Sequence, residues 1–261
     1  MTAALADLGA NILTSEQTAD DNCFDLRVEF ELERPTAVTE LEASLNSLRS
    51  VVEGQLTIHD VDHDAPVAIL LSKFPHCLLD LLARWRIGDL PGHPVVVISN
   101  HPDHQDIAES AGLPFHHLPV TAGTKLEQEA RIDEVLVNTG AELAVMARYM
   151  QILSDGFIAR NTGRIINIHH SFLPAFPGAR PYHQARERGV KIIGATAHYA
   201  TADLDEGPII TQDIARVTHR ESAEDMVRIG RELENRVLAA AVRAHLHHKV
   251  IVRGRRTVVF A

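Results

Sequence analysis

Asn167, His169 and Asp205 are the residues of this chain whose types and spacing best fit chemistry. They fall in the stretch Arg164 to Asp213, which opens with a short apolar run, Ile165 to His169, and holds a second strand-like run, Ile192 to Tyr199. The ends of such runs are where α/β sheets build their sites. Period two along a strand puts Asn167 and His169 on one face and Ile166, Ile168 and His170 on the other. An amide N–H and an imidazole N–H aimed at one point suit a carbonyl oxygen that becomes an oxyanion. A carboxylate arriving from the next run can orient or deprotonate a nucleophile. The reaction class implied is acyl transfer or amide hydrolysis. A strand that simply ends in polar residues at solvent, with Asp205 a turn residue before Gly207 and Pro208, has the same spacing, and spacing alone leaves both readings open.

The elements that must position these residues alternate in type. Val67 to Leu71, Val95 to Ser99, Phe115 to Leu118, Leu143 to Ala147 and Ile165 to His169 are short apolar runs. Between them lie helical segments near 75 to 87, 103 to 111, 124 to 139 and 154 to 160. That order predicts an α/β fold, a doubly wound, mostly parallel sheet that binds ligands at the carboxyl ends of its strands. A long helix is expected over 221 to 248, opened by Thr218 to Glu221. The Arg-Gly-Arg-Arg segment between Ile251-Val252 and Thr257 to Phe260 reads as a terminal hairpin or loop.

Residues 1 to 60 read as a separate small α+β unit. It has a helix to Leu8, a strand about Ile12 to Gln17, a loop at Ala19 to Asn22, an alternating strand Phe24 to Phe30, a helix from Thr36 to Arg49, and a last strand Gln55 to His59. His59 to Pro66 is polar, acidic and ends in proline, so 61 to 66 is the expected linker and 67 to 261 the second domain. Its two histidines and three aspartates are read as a solvated turn rather than a cation site.

With 261 residues, 45% hydrophobic and 23% charged, the chain has ordinary globular composition and material for a sizeable core. A net charge of −10 argues against nucleic acid as a partner. There is no apolar run of about 18 residues, and the N-terminus lacks a basic segment followed by an apolar core, so no membrane association and a cytoplasmic location are expected. Two cysteines, Cys23 and Cys77, suit reduced thiols rather than a disulfide framework.

Motifs sharpen the reading. Asn-Ile-His-x-Ser-x-Leu-Pro, followed by His198 and then Asp205 in Asp-x-Gly-Pro-Ile, resembles the formyltransferase family that uses 10-formyltetrahydrofolate. Ser-Lys-Phe-x-His-Cys-Leu, Ser-Asn-His-Pro, Ala-Arg-Tyr-Met-Gln-Ile-Leu and His170, where the transferases have proline, resemble its formyltetrahydrofolate deformylase branch, over essentially the whole chain. The resemblance implies hydrolysis of the folate to formate and tetrahydrofolate, supplying formate for purine synthesis and balancing the one-carbon pools. Asn167, His169 and Asp205 are then catalytic. Met150, Gln151, Ile152, Leu153 and Ile158 line the pterin pocket, closed on the other side by His198 and the loop Thr201, Ala202, Asp203, Leu204. The folate is a substrate, water the second reactant, no cofactor is implied, and a homo-oligomer is expected. Residues 1 to 60 resemble an ACT domain lacking its first strand and the Gly-containing turn that follows it. Other readings are a formyltransferase to an amine acceptor, and a catalytically dead folate or amino-acid sensor, which the intact trio disfavours.

Other residues carry weaker signals. The loop Ser72 to Cys77 has no glycine, so its backbone cannot hug a phosphate as the Gly-rich loop of glycinamide ribonucleotide transferases does. Lys73 there remains a candidate for an anion. Cys77 beside His76 has the elements of a nucleophile, but a buried thiol is the simpler reading. His116-His117 and His247-His248 diverge as neighbours in strands do, no His-Glu-x-x-His occurs, and no metal is expected. Ser171 lacks a Gly-x-Ser-x-Gly elbow and is read as a residue that fixes the loop after His169.

Overall fold

Strict alternation in one short strand sets the architecture around these residues. In a computed structural model of the protein, which describes residues 2–20, 23–51, 54–174 and 181–261, strand β3 (Pro66–Leu71) sends Val67, Ile69 and Leu71 into one apolar cluster. Ala68 and Leu70 go into another. A strand buried on both faces needs helices on both sides, so the sheet it belongs to is the middle of three layers.

Two compact units divide the chain, Met1–His63 with Phe260–Ala261, and Asp64–Val259. In the first, α1 (Thr2–Asp7) leads into an antiparallel ribbon of β1 (Ala10–Asp20) and β2 (Cys23–Leu32), followed by α2 (Val38–Val51). Leu5, Leu41, Leu45 and Phe260 are its buried apolar side chains among the described residues. The ribbon is longer than expected: Ala19 and Asp20 pair with Phe24 and Cys23, so strand replaces half of the loop foreseen at 19 to 22, and Asp21 and Asn22 lie outside the described residues. Gln55 to His59, expected as a last strand, takes no strand conformation. Its apolar pair, Leu56 and Ile58, alternates as a strand would but is only partly buried, too little to fix a ladder.

The second unit holds seven strands in the order β5-β4-β3-β6-β7-β8-β9, with β4 (His93–Ser99), β5 (Phe115–His117), β6 (Leu143–Met146), β7 (Ile165–His169), β8 (Ile192–Tyr199) and β9 (Ile209–Arg216). The pairs from β5 to β7 are parallel, while β7 to β8 and β8 to β9 are antiparallel. This is the mostly parallel α/β sheet expected. Its connecting helices are α3 (His76–Arg86), α4 (Gln105–Ser110), α5 (Lys125–Asn138), α6 (Asp155–Arg160) and α7 (Pro181–Glu187).

The long helix α8 runs Ala223–Leu246, and its start corrects the expected one. Ser222 is the N-cap, its hydroxyl accepting from Asp225 N while the Asp225 carboxylate accepts from Ser222 N. That reciprocal bonding satisfies two helix-end donors and fixes the first turn. Thr218 and Glu221 close a separate turn upstream, the carboxylate accepting from the Thr218 backbone and hydroxyl. At the end, β10 (Val250–Arg253) and β11 (Arg256–Val259) form the hairpin, with Gly254 at φ 58 in its turn. Among the described residues no helix is long and apolar enough to cross a membrane.

Candidate active site

The antiparallel arrival of β8 brings the expected residues together. Asn167 of β7 sits opposite His198 of β8, and His169 opposite Thr196. Beyond Tyr199 the chain turns through 200 to 208 and closes on itself, Tyr199 N donating to Pro208 O. Asp205 lies on that connection at φ 57, a left-handed conformation that aspartate tolerates better than most residues. Gly207 makes the turn possible, since a Cβ there would lie 1.8 Å from the Tyr199 carbonyl oxygen and 3.1 Å from His198 Nδ1.

The result is a cluster of four side chains. Asp205 Oδ1 lies 3.2 Å from His169 Nδ1 and 3.7 Å from His198 Nε2. Asn167 Nδ2 lies 3.2 Å from His198 Nε2, and His198 Nδ1 lies 2.9 Å from the Tyr199 carbonyl. A carbonyl only accepts, so His198 donates through Nδ1, and in the neutral ring Nε2 accepts from Asn167 Nδ2. His198 thereby fixes which way the Asn167 amide faces. Burial pushes the Asp205 carboxyl up, but the group accepts a hydrogen bond from His169 and is held well below the usual carboxylate range. With Nδ1 of His169 on Asp205, its Nε2 is buried and has no hydrogen-bond partner among the described residues. That nitrogen is the one left for a reacting molecule.

Thr196 holds the loop behind His169. Its hydroxyl donates to Ser171 O and accepts from Leu173 N and from Gln212 Nε2, the last of which also reaches Leu173 O. Ser171 is buried on that loop, which its backbone carbonyl ties to β8. His170 turns to the other side, its ring centroid 5.2 Å from His169 and 6.3 Å from Tyr182. Burial, then the nearby Arg148 guanidinium, push the His170 imidazole down to about 3.

A second cluster lies on that other side, and the sequence reading had missed most of it. Glu234 of α8 is 1% exposed, accepts from Tyr182 Oη at 2.8 Å, lies 2.8 Å from His76 Nε2, and stands 3.3 Å from Arg148 Nη1. Burial pushes its carboxyl up, but His76 and Arg148 outweigh that and hold it low. Gly230 makes room, because a Cβ there would lie 2.1 Å from Tyr182 Cζ. The signal that could have found Glu234 is its place on the apolar stripe of α8 with Leu233, Val237 and Leu238, where an unpaired carboxylate is costly. His76, Cys77 and Glu234 offer donor atoms within 4.8 Å of one another. Burial, then Glu234, push the Cys77 thiol up, away from the thiolate a metal or a nucleophile requires. Arg148 places a cation beside the same carboxylate, so we read the group as a buried polar cluster.

The expected pocket residues separate. Ile152, Leu153 and Ala202 line a cavity of about 550 Å³ together with Leu126, Glu129 and Ser154. Ser154 caps α6, its Oγ accepting from Phe157 N, and Glu129 accepts from Ser154 N and hydroxyl. Ile158 is 8% exposed and packs in the core with Phe157. His198 faces Asn167 and Asp205 and is not part of the cavity lining. Met150 N donates to Ser72 Oγ, so this backbone group is already used. Met150 and Leu204 are exposed, as is Asp203, and Thr201 Oγ1 donates to Asp203 O.

Known proteins carry the same scaffold. Residues 65–242 match the formyl transferase family. A formyltetrahydrofolate deformylase of Synechocystis sp. is 50% identical over 258 residues, 96% of this chain and 89% of that protein. The crystal structure of formyltetrahydrofolate deformylase from Burkholderia mallei matches with a TM-score of 0.94 at 45% identity, covering 100% of this chain and 93% of the other. That of glycinamide ribonucleotide transformylase 1 from Symbiobacterium toebii matches with a TM-score of 0.73 at 32% identity, covering 80% and 99%.

Proposed function

This chain belongs to the formyl transferase family, among its formyltetrahydrofolate deformylases, and from that membership we infer that it hydrolyses 10-formyltetrahydrofolate to formate and tetrahydrofolate. The observation within this chain that carries the reading is the His169 and Asp205 pair, at 3.2 Å, with Asn167 beside it. His169 Nε2 takes a proton from water as the oxygen attacks the formyl carbon, and Asp205 stabilises the charge that the ring gains. Asn167 donates to the formyl oxygen as it becomes an oxyanion. Collapse breaks the bond between carbon and N10, the proton on Nε2 passes to N10, and formate leaves with its second proton released to solvent. Atoms and charge balance without any further reactant, so no cofactor enters the scheme.

The folate is proposed to lie against Ile152, Leu153 and Ala202 in the cavity of about 550 Å³. Transfer to an amine is the weaker reading, since the similarity to deformylases spans both units at higher identity than that to the transformylase. A cytoplasmic setting fits the two free cysteines. Self-association fits the first unit, whose two-stranded ribbon exposes Leu13 and Phe24 over a thin core. Formate release from 10-formyltetrahydrofolate with no added acceptor tests the assignment. Consumption of the folate only when an amine is supplied would establish a transferase instead.

A further inference from the structure

Arg148 is a buried cation, two of whose donors, Nε and Nη1, make no hydrogen bond among the described residues. It lies in the bend just beyond β6, whose last residue, Met146, pairs with Asn167 of β7. Its φ of 67 is uncommon for a residue with a Cβ and turns the side chain where a regular strand end would not take it. The residue is 9% exposed, yet neither Nε nor Nη1 has a hydrogen-bond partner among the described residues. Nη1 is 3.3 Å from Glu234 Oε2, near enough for attraction but not a formed bond. Glu234 does not need it for hydrogen bonding, because Tyr182 serves Oε1 and His76 serves Oε2. The guanidinium lies over the Phe74 ring at 5.5 Å, and the exposed Arg231 covers the same ring at 5.8 Å. A chain of contacts therefore runs from His169 to His170, through Tyr182 and Glu234 to Arg148, and past Phe74 to a second cation at the surface.

Burying donors of a charged group without acceptors is costly, so the arrangement calls for an acceptor that the protein itself does not provide. A planar guanidinium held by packing suits a planar carboxylate. The reaction assigned above makes such an anion, formate, beside Asp205, whose ionised carboxylate repels it. We propose that Arg148 is the receiving site for the product carboxylate, its free Nε–H donating to a formate oxygen, with Arg231 continuing the cationic path to solvent. The assignment rests on the deformylation reading, and it gives the loop around Phe74 a role in product exit.

The test is formate binding to the full-length protein at constant ionic strength, followed by the line width of 13C-formate and by the shift in thermal midpoint. Wild type, Arg148→Lys and Arg148→Met are compared, with tetrahydrofolate binding measured alongside. Expected is at least tenfold weaker formate binding in Arg148→Met, a partial loss in Arg148→Lys, and tetrahydrofolate affinity within about twofold in both. Equal formate binding in wild type and Arg148→Met overturns the proposal. Inorganic phosphate is the second arm, and phosphate binding tighter than formate at Arg148 overturns the product assignment. Should the variants fail to fold, wild-type protein labelled with 15N at arginine Nε decides, because formate and not chloride must move one Nε–H resonance. The formate-release assay stands apart from these measurements, so a failure of the reaction and a failure of the exit site give different results.

Discussion

Asp205 Oδ1 stands 3.2 Å from His169 Nδ1, and the opposite nitrogen of the same ring is buried without a partner. One end of the imidazole is thus anchored to a carboxylate and the other is reserved for the reacting molecule. Asp205→Asn and His169→Ala are each expected to lower turnover by about 10² or more. Because the two act as one unit, the double variant should lose less than the product of the single losses. Single-turnover formate release measures this, and near-wild-type turnover in Asp205→Asn would refute the mechanism.

His198 acts through Asn167. With Nδ1 on the Tyr199 carbonyl and Nε2 on Asn167 Nδ2, it orients the amide that is proposed to face the formyl oxygen. His198→Phe should lower kcat by about 10-fold or more with little change in KM, the loss expected when a transition-state donor is misaimed. In an Asn167→Ala background the same substitution should cost far less, and equal costs in both backgrounds would show that His198 does not work through Asn167.

Gly207→Ala places a Cβ 1.8 Å from the Tyr199 carbonyl oxygen. The backbone must move, and the turn carrying Asp205 moves with it. Turnover should fall even where circular dichroism reports a folded protein, whereas full activity would mean that the close approach does not fix the Asp205 loop.

His170 gives the protein a pH dependence of known sign. Its folded value is about 3 against about 6.5 when unfolded, so between these values the unfolded chain binds more protons. Stability therefore falls as pH drops from about 6.5 toward 3, with a loss of about 2 kcal/mol reached by pH 5. Asp205 and Glu234, held low in the fold, add losses of the same sign only at still lower pH. Denaturant midpoints of wild type and His170→Asn at pH 7 and pH 5 check this, the variant being expected to show the flatter response.

Gly230→Ala drives a methyl group against the Tyr182 ring, 2.1 Å from Cζ. Tyr182 must leave Glu234, which is then short of a donor. A loss of about 1–3 kcal/mol is expected, as for an overpacked core. Unfolding of Tyr182→Phe, which removes the same hydrogen bond without the clash, separates the two contributions.

That Asn167, His169 and Asp205 come together was legible because it rests on rules local to the chain. Period two assigns Asn167 and His169 to one face of β7, and alternation of apolar runs with helices assigns a mostly parallel sheet to residues 67 onward. The cap of α8 was misread by one turn, since Thr218-Glu221 and Ser222-Asp225 both offer a carboxylate three residues after a hydroxyl, and only packing selects between them. His198 could be placed near the substrate but not on Asn167, because that contact depends on β8 running antiparallel to β7 in one register. Glu234, Tyr182 and His76 come from three helices, α8, α7 and α3, and Arg148 from the bend after β6, together spread over more than half of the chain. No spacing in the sequence links them; they meet because α3, α7 and α8 pack on the same side of the sheet, where a buried carboxylate has to find its donors.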